Sequence, residues 1–466
     1  MESHNPSSTS ELIRRYDVPG PRYTSYPTAV SFHEGFDEAA YRERLALADQ
    51  RADEPLSLYA HLPFCEARCL YCGCNVVISP HKEVAQPYLD HIIRELDLVA
   101  AALPHRRSLS QMQWGGGTPT YYATADLARL YAAVRERFTF TADAEIGIEV
   151  DPRVTSGEQI DALAAMGFNR ISAGVQDFDP AVQEAIGRIQ SFEQTRTLVD
   201  RARAAGFASV NLDLIFGLPL QTLEGFGRTL EHMLAIRPER VAVYSFAYVP
   251  WLKGHMRRID TASLPGPELK LDLLAQAYDA FTGAGYRAVG MDHFALPEDD
   301  MGKAAEAGTL GRNFMGYTVQ SARDMIGIGI SAIGDVEDAF VQNVKKLPTY
   351  YAALDAGRFP VEKGYALDAD DRIRRVIIAE IMCNARLDFG AIEARFGGDF
   401  ERDFASELAT LAAPGGPISD GLLERVPGGL RVTERGRPFV RVVAMAFDRH
   451  LRETSAGDRP VFSRTV

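Results

Sequence analysis

The sequence contains few cysteines and no long apolar run, and each absence excludes a class of protein. Only five of its 466 residues are cysteine, and four of these lie between positions 65 and 74. A disulfide-stabilised secreted protein would distribute its cysteines along the chain. No apolar run reaches the roughly 20 residues that a membrane-spanning helix needs, and residues 1–10 lack the apolar stretch of a secretory signal. We therefore expect a cytoplasmic protein without a membrane span.

An excess of positive charge is also missing. The chain has 50 Lys and Arg against 63 Asp and Glu, a formal net charge of −13. Nucleic-acid binding needs a basic surface, so we expect no nucleic-acid partner. The hydrophobic fraction of 46% is typical of a globular protein, and the length predicts one large domain with a smaller one.

Strand-like and helix-like segments alternate from Leu56 onward, which predicts a parallel sheet with right-handed crossovers. If this sheet curves into a barrel, the fold is a partial TIM-type (β/α)6 barrel of the α/β class. The predicted strands are Leu56–Phe64, Leu109–Trp114, Glu145–Val150, Arg170–Val175, Ser209–Phe216 and Arg240–Phe246. The predicted helices are Val84–Leu103, Thr124–Phe138, Ser156–Met166, Ser191–Ala205 and Leu223–Ile236.

The regions on either side of the barrel have a different pattern. Prolines between Arg14 and Ala29 disfavour regular helix, so residues 1–54 are predicted to form an N-terminal arm. Residues 55–345 would form the barrel with accessory strands. Residues 346–466 are predicted to form a mostly helical domain that is winged-helix-like, because two short strand-like pieces, Leu422–Val426 and Leu430–Thr433, follow its helices.

The four clustered cysteines have the spacing C-x3-C-x2-C-x-C. Four-cysteine zinc sites usually draw their ligands from two pairs far apart in sequence, whereas iron–sulfur clusters are often held by one short loop. Three thiolates on a four-iron cluster would leave one iron free to bind a small chelating molecule. The loop therefore favours an iron–sulfur cluster over zinc.

Polar or glycine-rich residues recur where the predicted strands end. In a barrel of this kind the active site lies at the carboxyl ends of the strands. The second strand ends in W-G-G-G-T-P-T, the third carries Glu149, and Gln176 and Asp213 follow on later strands. Each has a structural alternative: the glycines suit a tight turn, Gln176 could cap a helix, and Asp213 could be a hydrogen-bonded core acid.

Five motifs together carry a resemblance to a known family. The loop Cys65-x3-Cys69-x2-Cys72, with Tyr71 before its third cysteine, resembles the cluster loop of radical S-adenosylmethionine enzymes. The stretches Y-A-H-L-P-F-C, C-G-C-N, W-G-G-G-T-P-T, R-Y-T-S-Y-P and R-N-F-M-G-Y-T resemble those of oxygen-independent coproporphyrinogen III dehydrogenases. The resemblance extends from Arg14 to about Phe447.

The resemblance implies a reaction and its cofactors. The family oxidatively decarboxylates the ring A and B propionates of coproporphyrinogen III to vinyl groups, giving protoporphyrinogen IX for haem biosynthesis. It uses one [4Fe–4S] cluster, two S-adenosylmethionine molecules and a 5′-deoxyadenosyl radical. The expected partners are the tetrapyrrole substrate and an electron donor and acceptor that the sequence does not identify. We expect a monomer.

The resemblance also implies site residues, position by position. The cluster ligands would be Cys65, Cys69 and Cys72. The first cofactor molecule would contact Tyr59, Gly116, Glu149 and Ile333. The second would contact Tyr71, Gly117, Thr118, Gln176, Arg188, Asp213 and Ala247. No catalytic side chain is predicted, because the cofactor carries the radical. Arg22 and Arg312 are the candidates for binding substrate carboxylates.

Two other functions remain open at this point. A haem chaperone-like branch shares the barrel and the three cysteines, but by the family pattern it lacks a counterpart of Cys74 and of the arm containing Arg22. A redox-sensing winged-helix regulator would need a basic recognition helix, whereas Asp399–Glu407 is acid-rich. Both features favour the dehydrogenase. The roles of Cys74 and of the C-terminal domain are left unassigned.

Overall fold

The strand–helix alternation after Leu56 is present in a computed structural model, which describes residues 9–320, 322–451 and 462–465. Residues 1–8, most of the segment for which a secretory signal was excluded, lie outside the described residues. In chain order the strands are β1 (Leu56–Leu62), β2 (Phe64–Cys65), β3 (Val77–Ile78), β4 (Ser108–Gly116), β5 (Thr139–Val150), β6 (Arg170–Gln176), β7 (Ser209–Phe216), β8 (Arg240–Ser245), β9 (Arg287–Val289), β10 (His293–Ala295), β11 (Gly311–Asn313), β12 (Gly316–Thr318), β13 (Met325–Ile328), β14 (Ile333–Asp335), β15 (Ala339–Asn343), β16 (Val361–Ala366), β17 (Arg386–Asp388), β18 (Leu423–Val426) and β19 (Gly429–Val432).

The helices connect and cover these strands. In chain order they are α1 (Thr9–Tyr16), α2 (Glu38–Asp49), α3 (Gln86–Ala102), α4 (Thr124–Arg137), α5 (Gly157–Ala165), α6 (Pro180–Ile186), α7 (Phe192–Ala205), α8 (Leu223–Ile236), α9 (Pro267–Gly283), α10 (Asp300–Ala307), α11 (Leu347–Asp355), α12 (Ala369–Asn384), α13 (Phe389–Phe396), α14 (Phe400–Asp403), α15 (Ala405–Ala412) and α16 (Val440–Met445). None of these helices is long and apolar enough to cross a membrane.

The six predicted strands are β1 and β4 to β8, and they pair in parallel in that order. They form the centre of a twelve-stranded sheet with the order β16-β15-β14-β13-β1-β4-β5-β6-β7-β8-β10-β9. β13 adds a seventh parallel strand beside β1, and the strands outside these pair antiparallel. Within the described residues the edge strands β9 and β16 do not pair with each other, so the barrel stays open. The predicted α/β partial barrel is confirmed.

Side chains alternate along the strands between the helices and the barrel interior. On β7, Leu212 and Leu214 are buried in the main apolar core, whereas Asn211 and Asp213 line a cavity inside the barrel. This two-residue period is the expected geometry of a strand. The barrel interior is therefore polar, although each strand appears in the sequence as a mainly apolar run.

Local signals set the bounds of the crossover helices. Ser156 and Ser191 each form a capping box, and these begin α5 and α7 one residue before the first helical position. Helix α6 was not predicted. Asp179 caps its start and Gly187, with a φ of 67°, ends it after seven residues, which is too short to show a helical period.

The N-terminal arm is held by the C-terminal helices. Helix α1 ends at Tyr16, before Pro19, which is the first proline after Arg14. The rings of Tyr23 and Tyr26 pack in the apolar core of the C-terminal region, and the Tyr23 hydroxyl donates to Asp448 at 2.9 Å. Arg441 of α16 donates to the carbonyls of Gly20 and Pro21.

The C-terminal region is mostly helical, as predicted. Helices α12 to α16 surround a small antiparallel sheet of order β17-β19-β18, and β18 and β19 correspond to the two predicted strand-like pieces. Strand β16 belongs to the twelve-stranded sheet although it follows residue 345. The division of the chain at residues 54 and 345 stays a prediction.

A buried ion pair fixes the join between β1 and β13. Arg106 is 0% exposed and donates to Asp324, itself 1% exposed, at 2.6 Å. The same guanidinium donates to the carbonyls of Ala48 and Glu54, and the backbone carbonyl of Asp324 accepts from Ser57 N at 3.0 Å. One side chain thus links the end of α2, the start of β1 and the residue preceding β13.

We expect Arg106→Leu to lower the free energy of unfolding by about 3 kcal/mol, because it leaves a buried carboxylate short of its main partner. Chemical denaturation followed by circular dichroism would measure the change. The matched control is Arg129→Leu, since Arg129 pairs with Asp90 where both side chains are about half exposed. It should cost no more than about 1 kcal/mol. Equal losses in the two variants would contradict the role given to Arg106.

Candidate active site

The carboxyl ends of the barrel strands open into a cavity of about 330 Å³. It brings together predicted site residues from six separate segments of the chain. Those that line it are Cys65, Cys69, Tyr71, Cys72, Gly116, Gly117, Thr118, Glu149, Gln176, Arg188 and Asp213. Cys74, Asp151 and Arg153 also line it. Tyr59, Ala247 and Ile333 do not.

The cysteine loop is closed at its base by a short pair of strands. β2 pairs with β3, which sets Cys65 opposite Ile78, and Ser79 N donates to the Cys65 carbonyl at 3.0 Å. Cys69 is buried, Cys65 and Cys72 are half-buried, and Cys74 is exposed. No three histidine, cysteine or acidic side chains of the described residues are placed to hold a single metal ion. Four thiols in one short loop are the type of donor set that holds iron–sulfur clusters.

Two arginines balance charge beside the middle cysteine. Arg153 Nη2 lies 3.7 Å and Arg188 Nη1 lies 3.9 Å from Cys69 Sγ. Both also bind Asp151, at 2.6 and 3.1 Å. Burial opposes ionisation of Asp151, but these two arginines lower its pKa overall. The chemistry of this donor set suits an anionic cluster, since three thiolates bring negative charge that guanidinium groups offset.

The remaining thiols differ in their surroundings. Burial raises the pKa of Cys65 to about 11, although the Thr118 hydroxyl hydrogen-bonds to its sulfur. A hydrogen bond from Cys74 lowers the pKa of Cys72 to about 6. Cys74 therefore interacts with a predicted ligand while remaining exposed itself.

The glycines at the end of β4 allow close backbone contact with the cysteine loop. A Cβ on Gly117 would lie 2.5 Å from the carbonyl carbon of Pro63. In its absence, Gly117 N donates to Leu62 O and Thr118 N to Phe64 O, both at 2.9 Å. The glycine triplet is therefore required where β4 packs against the base of the loop, and it is more than an ordinary turn.

Glu149 is held by the same glycine segment. Gly116 N, at a φ of 110°, donates to its carboxylate at 3.0 Å, and a Cβ on Gly115 would lie 2.7 Å from that carboxylate. Enclosure in the barrel raises the pKa of Glu149 to about 7, with Asp213 adding to the rise. The carboxylate is open to the cavity, whose solvent limits this rise until a ligand fills the space. It is suited to bind a cationic group.

Two buried polar atoms at the cavity have no hydrogen-bond partner among the described residues. They are Gln176 Oε1 and Arg188 Nε. Gln176 has a φ of 70° and does not cap α6, whose cap is Asp179. Unpartnered buried polar groups are costly, so these two atoms indicate a place for a polar ligand.

Asp213 lies on the same wall and accepts from Asn211 Nδ2 at 2.7 Å. Burial raises its pKa to about 6. Asp177, by contrast, is a structural anchor, because its carboxylate accepts from Thr229 and Gln221 at 2.6 Å each.

Tyr59 is connected to the cysteine loop through His61. The Tyr59 hydroxyl donates to His61 Nδ1 at 3.1 Å, and His61 Nε2 donates to the Asn75 carbonyl at 2.9 Å. Because a carbonyl oxygen only accepts, the ring proton of neutral His61 must be on Nε2. Burial lowers the pKa of His61. His61 belongs to the motif Y-A-H-L-P-F-C, but no role was predicted for it.

Ile333 approaches Tyr59 across a glycine. Gly327 pairs with Tyr59 across the sheet. A Cβ on Gly327 would lie 2.7 Å from the backbone of Ile333. Ala247 follows β8. Contact of Tyr59, Ile333 and Ala247 with a cofactor stays a prediction.

A second cavity of about 140 Å³ continues the first into the barrel. The two share Glu149, Ser172 and Asp213 in their linings, and Tyr244, His293 and Tyr317 face the second. Among the residues that line it, the buried atoms Ser209 Oγ and Asn211 Oδ1 make no hydrogen bond to a described residue. Glu145 Oε2 forms ion pairs with Arg170 Nε at 3.4 Å and with Arg240 Nη2 at 3.8 Å. This interior is polar enough to admit a ligand with several polar groups.

A buried Asp–His pair was missed from the sequence, and its histidine lines this second cavity. Asp292 Oδ1 accepts from His293 Nδ1 at 2.6 Å, and both residues are buried. His293 Nε2 makes no hydrogen bond to any described residue, and the ring packs edge-on to Tyr244 and Tyr317. The adjacent D-H in R-A-V-G-M-D-H-F-A was the available signal, but the stretch was interpreted only as a strand.

Arg22 and Arg312 lie around Asp292 without lining either cavity. Arg22 Nη2 donates to Ser245 O at 2.6 Å. Arg312 Nη1 donates to the Tyr317 hydroxyl at 2.9 Å, and its guanidinium lies 4.5 Å from the centre of that ring. Burial opposes ionisation of Asp292, but His293, Arg312 and Arg22 lower its pKa overall. One carboxylate therefore faces two guanidinium groups and an imidazole.

The sequence of the whole chain is similar to known proteins. Residues 59–233 match the Radical SAM superfamily, and residues 367–439 match the HemN C-terminal domain. The oxygen-independent coproporphyrinogen III oxidase of Pseudomonas aeruginosa is 42% identical over 463 residues, covering 98% of both chains. The Escherichia coli protein of that description is 43% identical over 456 residues, with the same coverage.

A solved structure agrees with these matches. The coproporphyrinogen III oxidase HemN from Escherichia coli, described as a radical SAM enzyme, superposes with a TM-score of 0.89. It is 42% identical, and the match covers 96% of this chain and 99% of that one. The predicted fold class and family resemblance are confirmed, and the superfamily implies a [4Fe–4S] cluster and S-adenosylmethionine.

The cysteines should separate into two classes when they are replaced one at a time. Cys65→Ser, Cys69→Ser and Cys72→Ser should each abolish the iron–sulfur absorbance of anaerobically reconstituted protein, because each removes a ligand. Cys74→Ser should retain its iron, since that thiol is the exposed hydrogen-bond partner of Cys72. Iron content per chain provides the measurement, and loss of iron from Cys74→Ser would show that Cys74 is a ligand.

Proposed function

This chain belongs to the oxygen-independent coproporphyrinogen III oxidase family of radical SAM enzymes, and we propose that it converts coproporphyrinogen III to protoporphyrinogen IX. Each of two propionates, those on rings A and B, loses one hydrogen atom, one CO2 and one electron to become a vinyl group. The observation that supports this best is the cavity at the barrel mouth, where three cysteines, the glycine segment and Glu149 converge.

The residues around the cavity hold and orient the cofactors. When bound, the reduced cluster and S-adenosylmethionine supply the radical chemistry that takes a hydrogen atom from an unactivated carbon. Cys65, Cys69 and Cys72 would hold the cluster, and Arg153 and Arg188 offset its negative charge. Glu149, held by Gly116 N, would accept hydrogen bonds from the ammonium group of the first cofactor molecule.

A second S-adenosylmethionine would lie along the other wall of the same cavity. Gln176 Oε1 and Arg188 Nε offer unused hydrogen-bonding capacity there, and Asp213 offers a carboxylate. Polar side chains from several strands line both cavities. The space and its polar groups support two cofactor molecules, of which the second would contact Tyr71, Gly117, Thr118, Gln176, Arg188, Asp213 and Ala247.

The tetrapyrrole would be bound from the side of Asp292. Its four carboxylates need cationic partners, and Arg22, Arg312 and His293 are the cationic or protonatable groups gathered around this acid. Asp292 fixes the His293 ring so that Nε2 is directed away from it. His293 therefore presents one ring nitrogen to a substrate in the barrel interior.

No observation favours the haem chaperone-like function or the regulator. Cys74 and the R-Y-T-S-Y-P arm are both present, and the arm is packed into the C-terminal core. The HemN C-terminal domain match covers the region in which a regulator would carry its recognition helix. We therefore propose a single function.

The experiment that tests the function is an anaerobic product assay. Reconstituted protein, S-adenosylmethionine and dithionite should convert coproporphyrinogen III to protoporphyrinogen IX, with 5′-deoxyadenosine formed alongside. Chromatography of both products provides the measurement, and protein without iron is the control. Intact cluster absorbance without either product would overturn the proposal.

His293→Gln should weaken substrate binding about tenfold or more, because a charge-assisted hydrogen bond contributes about 1.5–3 kcal/mol. Coproporphyrin III, the fluorescent oxidised form of the substrate, serves as the probe in an equilibrium titration. His232→Gln is the control, since His232 is exposed on α8. Unchanged affinity in His293→Gln would remove this residue from the substrate site.

A further inference from the structure

A segment that follows β8 lies directly on the cysteine loop. His255 Nε2 donates to the Cys72 carbonyl at 2.9 Å, and Lys253 Nζ donates to the Cys74 carbonyl at 3.1 Å. A predicted cluster ligand is therefore connected to an outer residue through its own backbone carbonyl. Neither the cofactor contacts nor the substrate contacts proposed above use this segment.

The segment forms a mixed apolar and basic surface, which we call the cluster-side surface. Its apolar part is Trp251 and Leu252, which are 39% and 65% exposed. Its basic part is Arg68, Lys253, Arg257 and Arg258. Arg68, Arg257 and Arg258 are exposed, and within the described ranges none of the three forms an ion pair.

The charge of this surface differs from that of the chain as a whole. Segments 66–83 and 251–260 contain five cationic side chains and three acidic ones. One of the acids, Glu66, is already paired with Lys82 at 3.3 Å. The whole chain carries a formal charge of −13, so a basic area beside the cluster loop stands out against an acidic background.

These observations, together with the proposed function on which the inference rests, identify a partner. We propose that the cluster-side surface docks a small acidic one-electron carrier protein. Exposed apolar residues bordered by charge are the composition of an interface. Electrostatic complementarity to an acidic partner raises the rate of encounter. Electron-transfer complexes of this kind are small and weak, which suits a surface of about six residues.

The electron transfer itself requires no bond change. The carrier loses one electron, the bound cluster gains one, and no proton or leaving group moves. The route would pass from the carrier across the 251–258 segment to Cys72 and its sulfur. The hydrogen bond between His255 and the Cys72 carbonyl connects the 251–258 segment directly to a predicted ligand.

The test uses charge reversal away from the cofactor contacts. The double variant Arg257→Glu/Arg258→Glu changes two side chains that donate no hydrogen bond to the cysteine loop. The matched control, Arg395→Glu/Arg402→Glu, makes the same charge change at two exposed arginines of the C-terminal helices. An oxidised acidic flavodoxin is the probe, and calorimetry on the reconstituted holoenzyme gives its affinity at two ionic strengths.

We expect the first double variant to bind the flavodoxin at least about tenfold more weakly, with less dependence on salt, and the control to match the unaltered protein. Cluster reduction by reduced flavodoxin should slow by a similar factor, whereas reduction by dithionite should not change. Equal affinities in both variants would overturn the proposal. So would a change of oligomeric state in the first variant alone, because the surface would then be a contact between copies of this chain.

A second variant covers the case in which Arg257→Glu/Arg258→Glu loses its iron. Leu252→Ser removes the most exposed apolar side chain of the surface without changing charge, and it should weaken flavodoxin binding several-fold. Unchanged binding there would count against the proposal. The product assay with dithionite tests the proposed function alone, so failure of that assay and failure of docking are separate results.

Discussion

The active site depends on the close packing of the end of β4 against the base of the cysteine loop. Gly117 lies so near to Pro63 that any side chain would displace the backbone. Two backbone hydrogen bonds from Gly117 and Thr118 then fix Leu62 and Phe64. This packing fixes the start of the cysteine loop, and the pairing of β2 with β3 then closes the loop. The positions of the thiols therefore depend on the packing of β4. The same glycine segment holds Glu149, so the cysteine loop and this carboxylate share one constraint.

Carboxylates in the barrel divide according to whether a cation lies beside them. Asp151 and Asp292 face arginines or a histidine, and their pKa values are lowered. Glu149 and Asp213 have no direct cationic partner among the described residues, and burial raises their pKa values. The first pair consists of structural anions that orient other side chains. The second pair has the raised pKa values that are common at functional sites, and we propose that it binds ligands that bring their own positive charge.

The sequence predicted the parts of the fold that local pattern controls. Strand β7 and helix α8 have the predicted bounds, because apolar strand residues and a capped amphipathic helix leave clear signals. Helix α6 was missed because two turns show no period, although α6 delivers Arg188 to the site. The pairing of β13 with β1 joins segments more than 260 residues apart, and no local pattern encodes it. The predicted cofactor residues came from motif resemblance, whereas Asp292 and His293 needed the fold, since only the barrel brings His293 towards Asp213.

The contact between Arg441 and the arm has a consequence for the order in which the molecule is completed. Arg441 binds Pro21 across 420 residues, and it also binds Arg464 and Thr465 near the end of the chain. Arg22 is the neighbour of Pro21 and donates to Ser245 on the barrel. During synthesis the barrel strands emerge from the ribosome long before Arg441 does. Arg22 is therefore fixed beside Asp292 only in a nearly finished chain, and a nascent barrel has its cysteine loop before Arg22 is in place.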